Sequence, residues 1–223
     1  MDKYISIFKG NSYDLTLKRA IDIIGSVILL ILFFPICLIL AMAIKLDSSG
    51  PIFADTPDRI GQKGRLFKMY KFRSMIEKAH ILLRKDPKLR HLYKQYKKNS
   101  YKLRKDPRVT QLGKFIRRHS LDEIPQLLNV IKGEMSLVGP RAYYPDELAD
   151  QQKKYPLTKQ MVKRVLSVKP GITGFWQVSG RSEVNFDKRI AMDAKYVDRR
   201  SLWYDIKILL RTPWAMISGK GAV

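Results

Sequence analysis

The sequence predicts a mostly α-helical fold with a small β element, in which a re-entrant membrane helical hairpin and amphipathic interface helices surround a cytoplasmic domain. Three observations support this class. An uncharged apolar run extends from Ile23 to Ile44, long stretches after it have helical periodicity, and only short segments resemble strands. We expect two parts, residues 1–46 as a lead-in and membrane helix and residues 47–223 as the membrane-associated domain.

The apolar run is long enough to cross a bilayer, because about 20 apolar residues cover the hydrocarbon layer. Its flanks carry similar numbers of basic residues, so the positive-inside rule selects no orientation. These residues are Lys3, Lys9, Lys18 and Arg19 before the run and Lys45, Arg59, Lys63 and Arg65 after it. Pro35 lies near the middle, where it removes a helical hydrogen bond. We predict that the segment turns at Pro35 and returns; a kinked single span is the alternative.

The chain is strongly basic, with 43 Lys and Arg against 20 Asp and Glu and a net charge of +23. This surplus indicates a polyanionic partner, either nucleic acid or an anionic leaflet together with a phosphorylated substrate. The apolar run favours the second, and no known nucleic-acid-binding pattern accompanies the charge. We therefore expect anionic membrane lipids as partners and no nucleic acid. The only cysteine, Cys37, excludes an intrachain disulfide and permits a cytoplasmic setting.

Short elements follow the apolar run. Residues 48–51 form a turn where the chain leaves the bilayer. Residues 52–53 and 66–72 flank a segment with two glycines at 61–64, which predicts a small hairpin. Residues 78–105 combine many basic side chains with apolar ones at helical spacing. They predict an amphipathic helix that is either packed on the domain with a solvated back or lies on anionic headgroups.

A second apolar segment, residues 202–217, is too charged to span a membrane. Its residues Trp203, Tyr204 and Trp214 suit either the bilayer interface or the core of the domain.

The densest group of polar residues begins at residues 120–123, which read Ser-Leu-Asp-Glu. This is the spacing of a capping box, in which the Ser120 hydroxyl and the Glu123 side chain each bond the other's backbone amide. Spacing alone therefore assigns Glu123 a structural role.

Asp122 has the stronger chemical signal. We expect it in the first turn of a helix that ends at Gly133, where the helix dipole favours its ionised form. Arg117, Arg118 and His119 precede it and would reinforce that ionisation. An ionised carboxylate in a basic pocket can act as a nucleophile on phosphorus, and two adjacent carboxylates can hold Mg²⁺ against a diphosphate.

Two further segments could contribute to an anion site. Residues 135–141 read as a short strand ending in Gly-Pro-Arg, and the Arg141 guanidinium could clamp two phosphate oxygens. Residues 170–181 contain three glycines, which permit tight turns and expose backbone amides. This segment lacks the ending of a P-loop, and either segment alone is also typical of an ordinary loop.

Several motifs occur together along the chain. They lie at residues 18–19, 70–75, 106–110, 120–129, 135–141, 170–181 and 203–206. In this order the motifs resemble the bacterial sugar transferase family, the monotopic phosphoglycosyl transferases, over nearly the whole chain. They are most similar to the branch that starts exopolysaccharide, capsule or O-antigen units with a hexose 1-phosphate.

The resemblance implies an enzyme on the cytoplasmic face of the bacterial inner membrane. It implies transfer of a hexose 1-phosphate, galactose or glucose by preference, from a UDP-sugar to undecaprenyl phosphate with release of UMP. Asp122 would attack phosphorus to form a phosphosugar–aspartate ester, and Glu123 would assist with Mg²⁺, both carboxylates serving as metal ligands. Lys71, Arg117 and Arg141 would bind phosphate. The alternatives are the same reaction on an N-acetylated sugar, or a non-catalytic basic membrane-anchored module that binds polyanions.

The chain departs from the family pattern at three positions. Ala142 follows Arg141 where proline is common, Phe34 precedes Pro35 where many members have serine, and Pro57 stands where glutamine is usual. We expect a less rigid loop at Arg141 and the loss of any contact made by that glutamine. We also expect the catalytic unit alone, without the extra N-terminal membrane domain of larger members.

Overall fold

The computed structural model describes residues 10–99, 101, 103, 105–179 and 184–218. Within these ranges the fold is mostly helical with four short strands, as predicted. The helices are α1 (Gly10–Asp47), α2 (Ala79–Lys85), α3 (Arg90–Lys98), α4 (Gln111–Arg118), α5 (Gln126–Lys132), α6 (Pro145–Lys154), α7 (Lys159–Val165), α8 (Phe175–Ser179), α9 (Phe186–Arg199) and α10 (Leu202–Ser218). The strands are β1 (Arg59–Ile60), β2 (Leu66–Phe67), β3 (Ser136–Val138) and β4 (Gly171–Thr173).

The apolar run forms the greater part of α1, which contains Pro35 and continues to Asp47. Its segment Leu17–Asp47 is long and apolar enough to cross a membrane, with a mean hydropathy of 3.2 in its most apolar window. The core helix of a soluble protein would be mostly buried, whereas only 11% of that window is buried here. Side chains such as Ile31, Leu32 and Ile39 are more than half exposed. An apolar surface of this kind requires a non-aqueous environment, so α1 is a membrane-anchoring helix.

Both ends of α1 are attached to the same domain. Near its start, Arg19 donates to the Val130 and Ile131 carbonyls at the end of α5, at 2.6 and 2.8 Å. Near its end, the Asp47 carboxylate accepts from the Leu112 amide of α4 at 3.4 Å. A straight helix of this length would measure about 57 Å. The exposed apolar residues lie between the two attachments.

Two small features let the first half of α1 approach β3 closely. The buried Asp22 carboxylate accepts hydrogen bonds from the Ser136 hydroxyl and the Leu137 amide, each at 3.0 Å. A Cβ on Gly25 would lie 2.8 Å from Leu137 Cδ1, so a larger residue at this crossing would displace the end of the Leu137 side chain. The polar anchor and the small residue fix α1 against the domain before it reaches its exposed middle.

The domain has two hydrophobic clusters. The larger one joins the second half of α1 to α4, α5, β3 and α10. Its members include Leu40 and Ile44 of α1, Ile116 of α4, Val130 of α5, Val138 of β3 and Ile208 of α10. The smaller one packs α6, α7 and α9 together, through Leu148, Val162, Val165, Phe186 and Ile190. The membrane helix is therefore part of the main core.

The predicted hairpin is present. β1 pairs antiparallel with β2, with Arg59 opposite Phe67, around a turn that contains Gly61 and Gly64. The pairing of residues 52–53 differs from the expectation, because Phe53 forms a lone bridge with Phe72 and their rings stack at 5.7 Å. The hairpin strand before the turn is thus β1.

The other sheet is a parallel pair. β3 and β4 align Ser136 with Gly171 and Val138 with Thr173. A Cβ on Gly171 would lie 2.0 Å from the Gly139 amide nitrogen, so the two glycine-containing segments predicted as anion loops lie side by side. Gly180 and Arg181, the end of the second segment, fall outside the described residues.

The basic region forms two helices where a single helix was predicted. Asp86 ends α2 and its carboxylate accepts from the Lys88 amide at 2.9 Å, starting a short turn that leads into α3. The following Pro87 disfavours the helical conformation at Asp86, which is the physical reason for the break. Tyr101 and Leu103, which follow α3, are buried, whereas no residue of α3 is.

The aromatic residues of the last helix, α10, were predicted to lie either at the bilayer interface or in the core, and the structure distinguishes the two. Trp203 and Trp214 are 74% and 76% exposed, so neither is a core residue. Tyr204 instead packs against the rings of Phe175 and Tyr196. The exposed face of α10 is therefore apolar and suits the bilayer interface.

Candidate active site

Asp122 lies in a 3-10 turn, Leu121–Glu123, between α4 and α5, which we call the carboxylate turn. The predicted capping box is wrong. Ser120 has a positive φ of 56° and its side chain makes no capping hydrogen bond, because the left-handed backbone turns it away from the amide it would cap. The Glu123 amide bonds the Ser120 carbonyl oxygen at 3.1 Å instead. α5 starts only at Gln126 and ends before Gly133, which has a φ of 82° as a helix-ending glycine should.

Lys71 connects the two carboxylates of this turn. Its ammonium nitrogen lies 3.2 Å from Asp122 Oδ2 and 2.7 Å from Glu123 Oε1. Burial favours the neutral amine, but the charges of Asp122 and Glu123 outweigh it and raise the pKa of Lys71. Burial likewise opposes ionisation of Glu123, and the Lys71 charge and hydrogen bond, with Arg141 and Arg59, lower its pKa. Lys71 and Glu123 therefore both carry charge at neutral pH.

The segment that carries Lys71 is fixed to the carboxylate turn and to α5. The Phe72 amide donates to the Asp122 carbonyl oxygen at 3.0 Å. Asn129, fully buried on α5, accepts from the Tyr70 amide at 2.9 Å and donates to the Lys68 carbonyl at 2.8 Å. Asn129 is a positioning residue that sequence reasoning missed. Its only sequence signal was a polar residue on the apolar face of α5.

The five predicted site residues line one cavity of about 820 Å³, a size typical of small-molecule sites. These residues are Lys71, Arg117, Asp122, Glu123 and Arg141. Arg118 and His119, which were expected to reinforce the charge, do not line it. Arg118 is exposed on α4, and the ring of His119 lies 4.8 Å from that of Phe115.

Arg141 follows β3 and is held from behind by buried groups. Its guanidinium lies 5.4 Å from the Trp176 ring centre and 4.0 Å from Glu147 Oε2. Its backbone amide donates to Asp193 Oδ2 at 3.2 Å. Ala142, where the family pattern has proline, is buried, and its carbonyl accepts from Arg59 at 3.0 Å. These contacts hold the loop in place without proline.

Glu147, Arg189 and Asp193, all fully buried, form with Tyr143 what we call the Arg189 cluster. Arg189 lies 3.6 Å from Glu147 Oε1 and faces the rings of Tyr143 and Trp176, each at 5.6 Å. Within the described residues none of its guanidinium nitrogens has a hydrogen-bond partner, nor has Asp193 Oδ1. Burial raises the pKa of Asp193 to about 7, against the opposing effect of its hydrogen bonds and the two arginines. No part of this cluster was predicted, because its members are widely separated in the sequence.

The wall of the cavity changes character from one part to another. α1 and α10 supply apolar side chains, among them Ile21, Leu29, Phe33, Leu209 and Met216. β1, α2, α3, the segment before α4 and the residues after β3 supply cationic and aromatic side chains, among them Arg59, His80, Tyr96, Arg108 and Tyr144. Sequence reasoning missed this second set. The cavity can therefore hold an apolar chain and a charged, ring-containing group at once.

A metal site was expected at Asp122 and Glu123. In the part of the chain that the structure covers, no group of three or more His, Cys, Asp or Glu side chains could hold an ion. The two carboxylates do converge on one point, since a single ammonium contacts both. Mg²⁺ commonly takes one or two protein carboxylates and completes its shell with substrate phosphates and water. This donor set fits Mg²⁺ in that manner.

Comparison with known proteins adds independent information. The family model described as bacterial sugar transferase matches residues 13–219. The galactosyl transferase CpsE of Streptococcus agalactiae is 42% identical over 233 residues, which cover 99% of this chain and 49% of that protein. The undecaprenyl-phosphate galactose phosphotransferase of Salmonella typhimurium is 43% identical over 210 residues, 92% of this chain and 41% of that protein. The chain thus spans less than half the length of these two relatives.

A third relative is similar in length. The exopolysaccharide production protein ExoY of Rhizobium meliloti is 38% identical over 206 residues, which cover 92% of this chain and 87% of that protein. The family match over residues 13–219 includes every residue that lines the cavity, and the similarity extends to a relative of comparable size.

Proposed function

The chain belongs to the bacterial sugar transferase family, and from that premise and the cavity geometry we propose that it is a polyprenyl-phosphate phosphoglycosyl transferase. It moves a hexose 1-phosphate from a UDP-sugar to undecaprenyl phosphate and releases UMP. The observation that carries the proposal is the contact of one ammonium, Lys71, with two carboxylates in a cavity partly walled by the anchoring helix. A site of this kind brings together a carboxylate nucleophile, positive charge and an apolar wall formed partly by the anchoring helix.

Two relatives guide the choice of substrate. The Salmonella relative is named an undecaprenyl-phosphate galactose phosphotransferase, and one from Komagataeibacter xylinus, 40% identical, an undecaprenyl-phosphate glucose phosphotransferase. We therefore favour galactose or glucose. The ExoY relative, named for exopolysaccharide production, supports a role at the start of exopolysaccharide, capsule or O-antigen units.

The reaction has two displacements at one phosphorus atom. An Asp122 carboxylate oxygen attacks the sugar-bearing phosphorus of the UDP-sugar; a new P–O bond forms, and the bond to the UMP oxygen breaks with its electron pair leaving on UMP. An oxygen of undecaprenyl phosphate then attacks the same phosphorus and displaces Asp122, which regains its carboxylate. Phosphoryl transfer of this type depends on positioning and on neutralised charge.

The cations of the cavity supply that neutralisation. Lys71 holds the attacking carboxylate, and Arg117 and Arg141 line the space where the diphosphate would lie. Fixed positive groups in a site that excludes water stabilise the developing charge without reorganising. Asp122 and Glu123 would hold Mg²⁺, which when bound supplies further positive charge to the diphosphate oxygens. Glu123 is adjacent and ionised, so it is suited to this task.

We propose further that α1 is re-entrant and that the domain lies on the cytoplasmic face of the inner membrane. Both ends of α1 contact one domain, so they lie on the same side of a bilayer that surrounds its exposed middle. The apolar face of α10 rests in the interface, and the basic surplus of the chain faces anionic headgroups. UDP-sugars are then delivered from the cytoplasm.

The reaction is tested by UMP release. Protein in nanodiscs is incubated with Mg²⁺, undecaprenyl phosphate and single UDP-sugars: galactose, glucose and their N-acetylated forms. We expect UMP with UDP-galactose or UDP-glucose, dependent on the lipid phosphate beyond one turnover and abolished by a chelator. UMP with only an N-acetylated donor would keep the reaction and change the sugar. No UMP with any donor, from protein that melts cooperatively, would leave the polyanion-binding anchor as the better hypothesis.

The membrane arrangement has a separate test. Cys37, the only cysteine, is replaced by alanine, and single cysteines are introduced as Ser12→Cys at the start of α1 and Leu157→Cys on the exposed surface of the domain. An impermeant thiol reagent should label neither in intact cells and both after permeabilisation. Labelling of Ser12→Cys alone in intact cells would show that α1 spans the membrane.

A further inference from the structure

The cationic and aromatic part of the cavity wall contains a tightly packed group, Arg59, His80 and Tyr144, which we call the aromatic wall. The Arg59 guanidinium lies over the Tyr144 ring at 3.3 Å from its centre. The His80 and Tyr144 ring centres are 6.1 Å apart at an angle of 62°. All three side chains line the cavity that contains Asp122. The proposed mechanism uses none of them.

Arg59 lacks a counter-ion of its own. It is only 6% exposed, and its one side-chain hydrogen bond is from Nη1 to the Ala142 carbonyl. Among the described residues no carboxylate lies within 4.0 Å of it, and its Nε has no hydrogen-bond partner. A buried guanidinium in this condition is unfavourable unless an anion joins it. Arg59 also contributes to the lowered pKa of Glu123, so its charge acts near the reacting groups.

His80 is a neutral group in a basic environment. Burial is the main cause that lowers its pKa, and Arg108, Arg59, Arg84 and Arg117 add to the effect, bringing it to about 4. At neutral pH the imidazole therefore offers one N–H donor and one acceptor nitrogen. None of the hydrogen bonds between described residues uses either nitrogen. Such a group is suited to the polar edge of an uncharged heterocycle.

The two substrates differ in what they require of the cavity. A polyprenyl chain needs an apolar wall continuous with the membrane, which α1 and α10 provide. A nucleotide needs a flat aromatic surface for its base, hydrogen-bonding groups for the edge of the base, and positive charge for its phosphate. The aromatic wall places the Tyr144 ring, the His80 imidazole and the Arg59 guanidinium side by side, with the guanidinium over one face of the Tyr144 ring.

Given the transferase function proposed above, on which this inference rests, we propose that Arg59, His80 and Tyr144 form the subsite for the uridine monophosphate part of the donor. Tyr144 and His80 contact the uracil ring, and Arg59 neutralises the phosphate that leaves as part of UMP. The sugar-bearing phosphate then lies at Asp122, between this subsite and the apolar wall that receives the lipid.

The test measures binding of UMP itself, so that it does not depend on turnover. Equilibrium dialysis with radiolabelled UMP is carried out on the nanodisc-held protein and on the variants His80→Ala, Tyr144→Leu and Arg59→Met. Tyr144→Phe, which keeps the ring, is compared with Tyr144→Leu, and Leu157→Ala, at a site 93% exposed, is the surface control. Melting temperatures establish that each variant is folded.

We expect the three test variants to weaken UMP binding about tenfold, in the range known for losing one base–aromatic contact. Leu157→Ala should stay within twofold of the wild type, and Tyr144→Phe should bind UMP more tightly than Tyr144→Leu. In turnover assays the KM for the UDP-sugar should rise by a similar factor, and the KM for undecaprenyl phosphate should not change. Unchanged UMP binding in folded His80→Ala and Tyr144→Leu proteins, or a rise in the lipid KM instead, would overturn the subsite.

The two proposals fail in different ways. Wild-type protein that binds UMP and loses this binding in the variants, but never releases UMP from a UDP-sugar, supports the subsite and contradicts the transferase. Wild-type protein that turns over while the variants bind and react normally contradicts the subsite alone. Wild-type protein that neither turns over nor binds UMP contradicts both.

Discussion

The carboxylate turn and the Arg189 cluster contain the same kinds of groups in opposite settings. At the turn, Lys71 hydrogen-bonds both Asp122 and Glu123 and all three line the cavity. In the cluster, Arg189 lies 3.6 Å from Glu147, has no hydrogen bond within the described chain, and is fully enclosed. The difference teaches that accessible charges can react, whereas enclosed ones can act only by holding neighbours such as Arg141. Substitution at the turn should therefore reduce rate, and substitution in the cluster should reduce stability.

The largest effect on turnover is expected for Asp122→Asn. The amide cannot attack phosphorus, so UMP release should fall by at least about 10³-fold, as for other removed nucleophiles. The melting temperature should change little, because the substitution conserves shape. The measurement is UMP release in nanodiscs, with Asp198→Asn on the surface of α9 as the control. Turnover within tenfold of wild type would exclude Asp122 as the nucleophile.

The second effect is expected for Lys71→Met, which removes the ammonium shared by both carboxylates. The rate should fall about 10²-fold, a typical loss for one electrostatic contact in an active site. Lys71→Arg keeps the charge and should recover part of the rate. Equal rates for Lys71→Met and Lys71→Arg would mean that the charge of Lys71 is not used.

Glu147→Gln should lower stability more than turnover, the reverse of the two substitutions at the carboxylate turn. Among the described residues Glu147 is the only carboxylate within 4.0 Å of the enclosed Arg189, and its loss typically costs about 3–5 kcal/mol of stability. A clear fall in melting temperature is expected, with less than tenfold loss in turnover by the protein that remains folded. The double variant Glu147→Gln with Arg189→Met removes both charges and should recover stability. Loss of turnover without loss of stability would place Glu147 in the chemistry.

The smallest effect is expected for Asp193→Asn, which should change how the melting temperature depends on pH. Burial raises the pKa of Asp193 to about 7 in the fold, against the opposing effects of Arg141, Tyr143 and Arg189. Between its ordinary pKa of 3.8 and about 7, the folded state binds the proton and the unfolded state does not. The contribution of Asp193 to stability therefore decreases as pH rises through this window.

The melting temperature of the wild type should accordingly fall more between pH 5.5 and pH 8 than that of Asp193→Asn. Asp193 Oδ1 has no hydrogen-bond partner among the described residues, so the NH₂ group of asparagine can take its place while the asparagine oxygen keeps the contacts of Oδ2. The variant should therefore fold. Parallel melting curves for the two proteins over this pH range would contradict the raised pKa.

Much of the fold followed from local patterns. The apolar run became α1, the glycines at 61–64 became the turn of a hairpin, and Gly133 ended α5. These features depend on residues close in sequence, whose hydrophobic period and backbone preferences act over a few positions. Pro87 could also have predicted the helix break at Asp86, but the regular spacing of apolar residues suggested one continuous helix.

The same local reasoning failed at Ser120 and Glu123. Their spacing is that of a capping box, but the contact with Lys71, 52 residues from Glu123 in the chain, determines the direction of the Glu123 side chain. Local capping contributes about 1 kcal/mol, and a charged hydrogen bond in a partly buried site exceeds it. Tertiary contacts therefore overrode the local motif at the centre of the site.

The sequence by itself determined the helical class, the membrane-anchoring helix, the basic charge and the identity of the carboxylate pair. Only the tertiary structure decided which cation meets that pair, how Asn129 fixes Lys71, and that Arg59, His80 and Tyr144 converge on the same cavity. The reason is physical. Periodicity and turn preferences operate between neighbours in the chain, whereas the partners of Asp122 and Tyr144 lie dozens of residues away and meet only when the core packs.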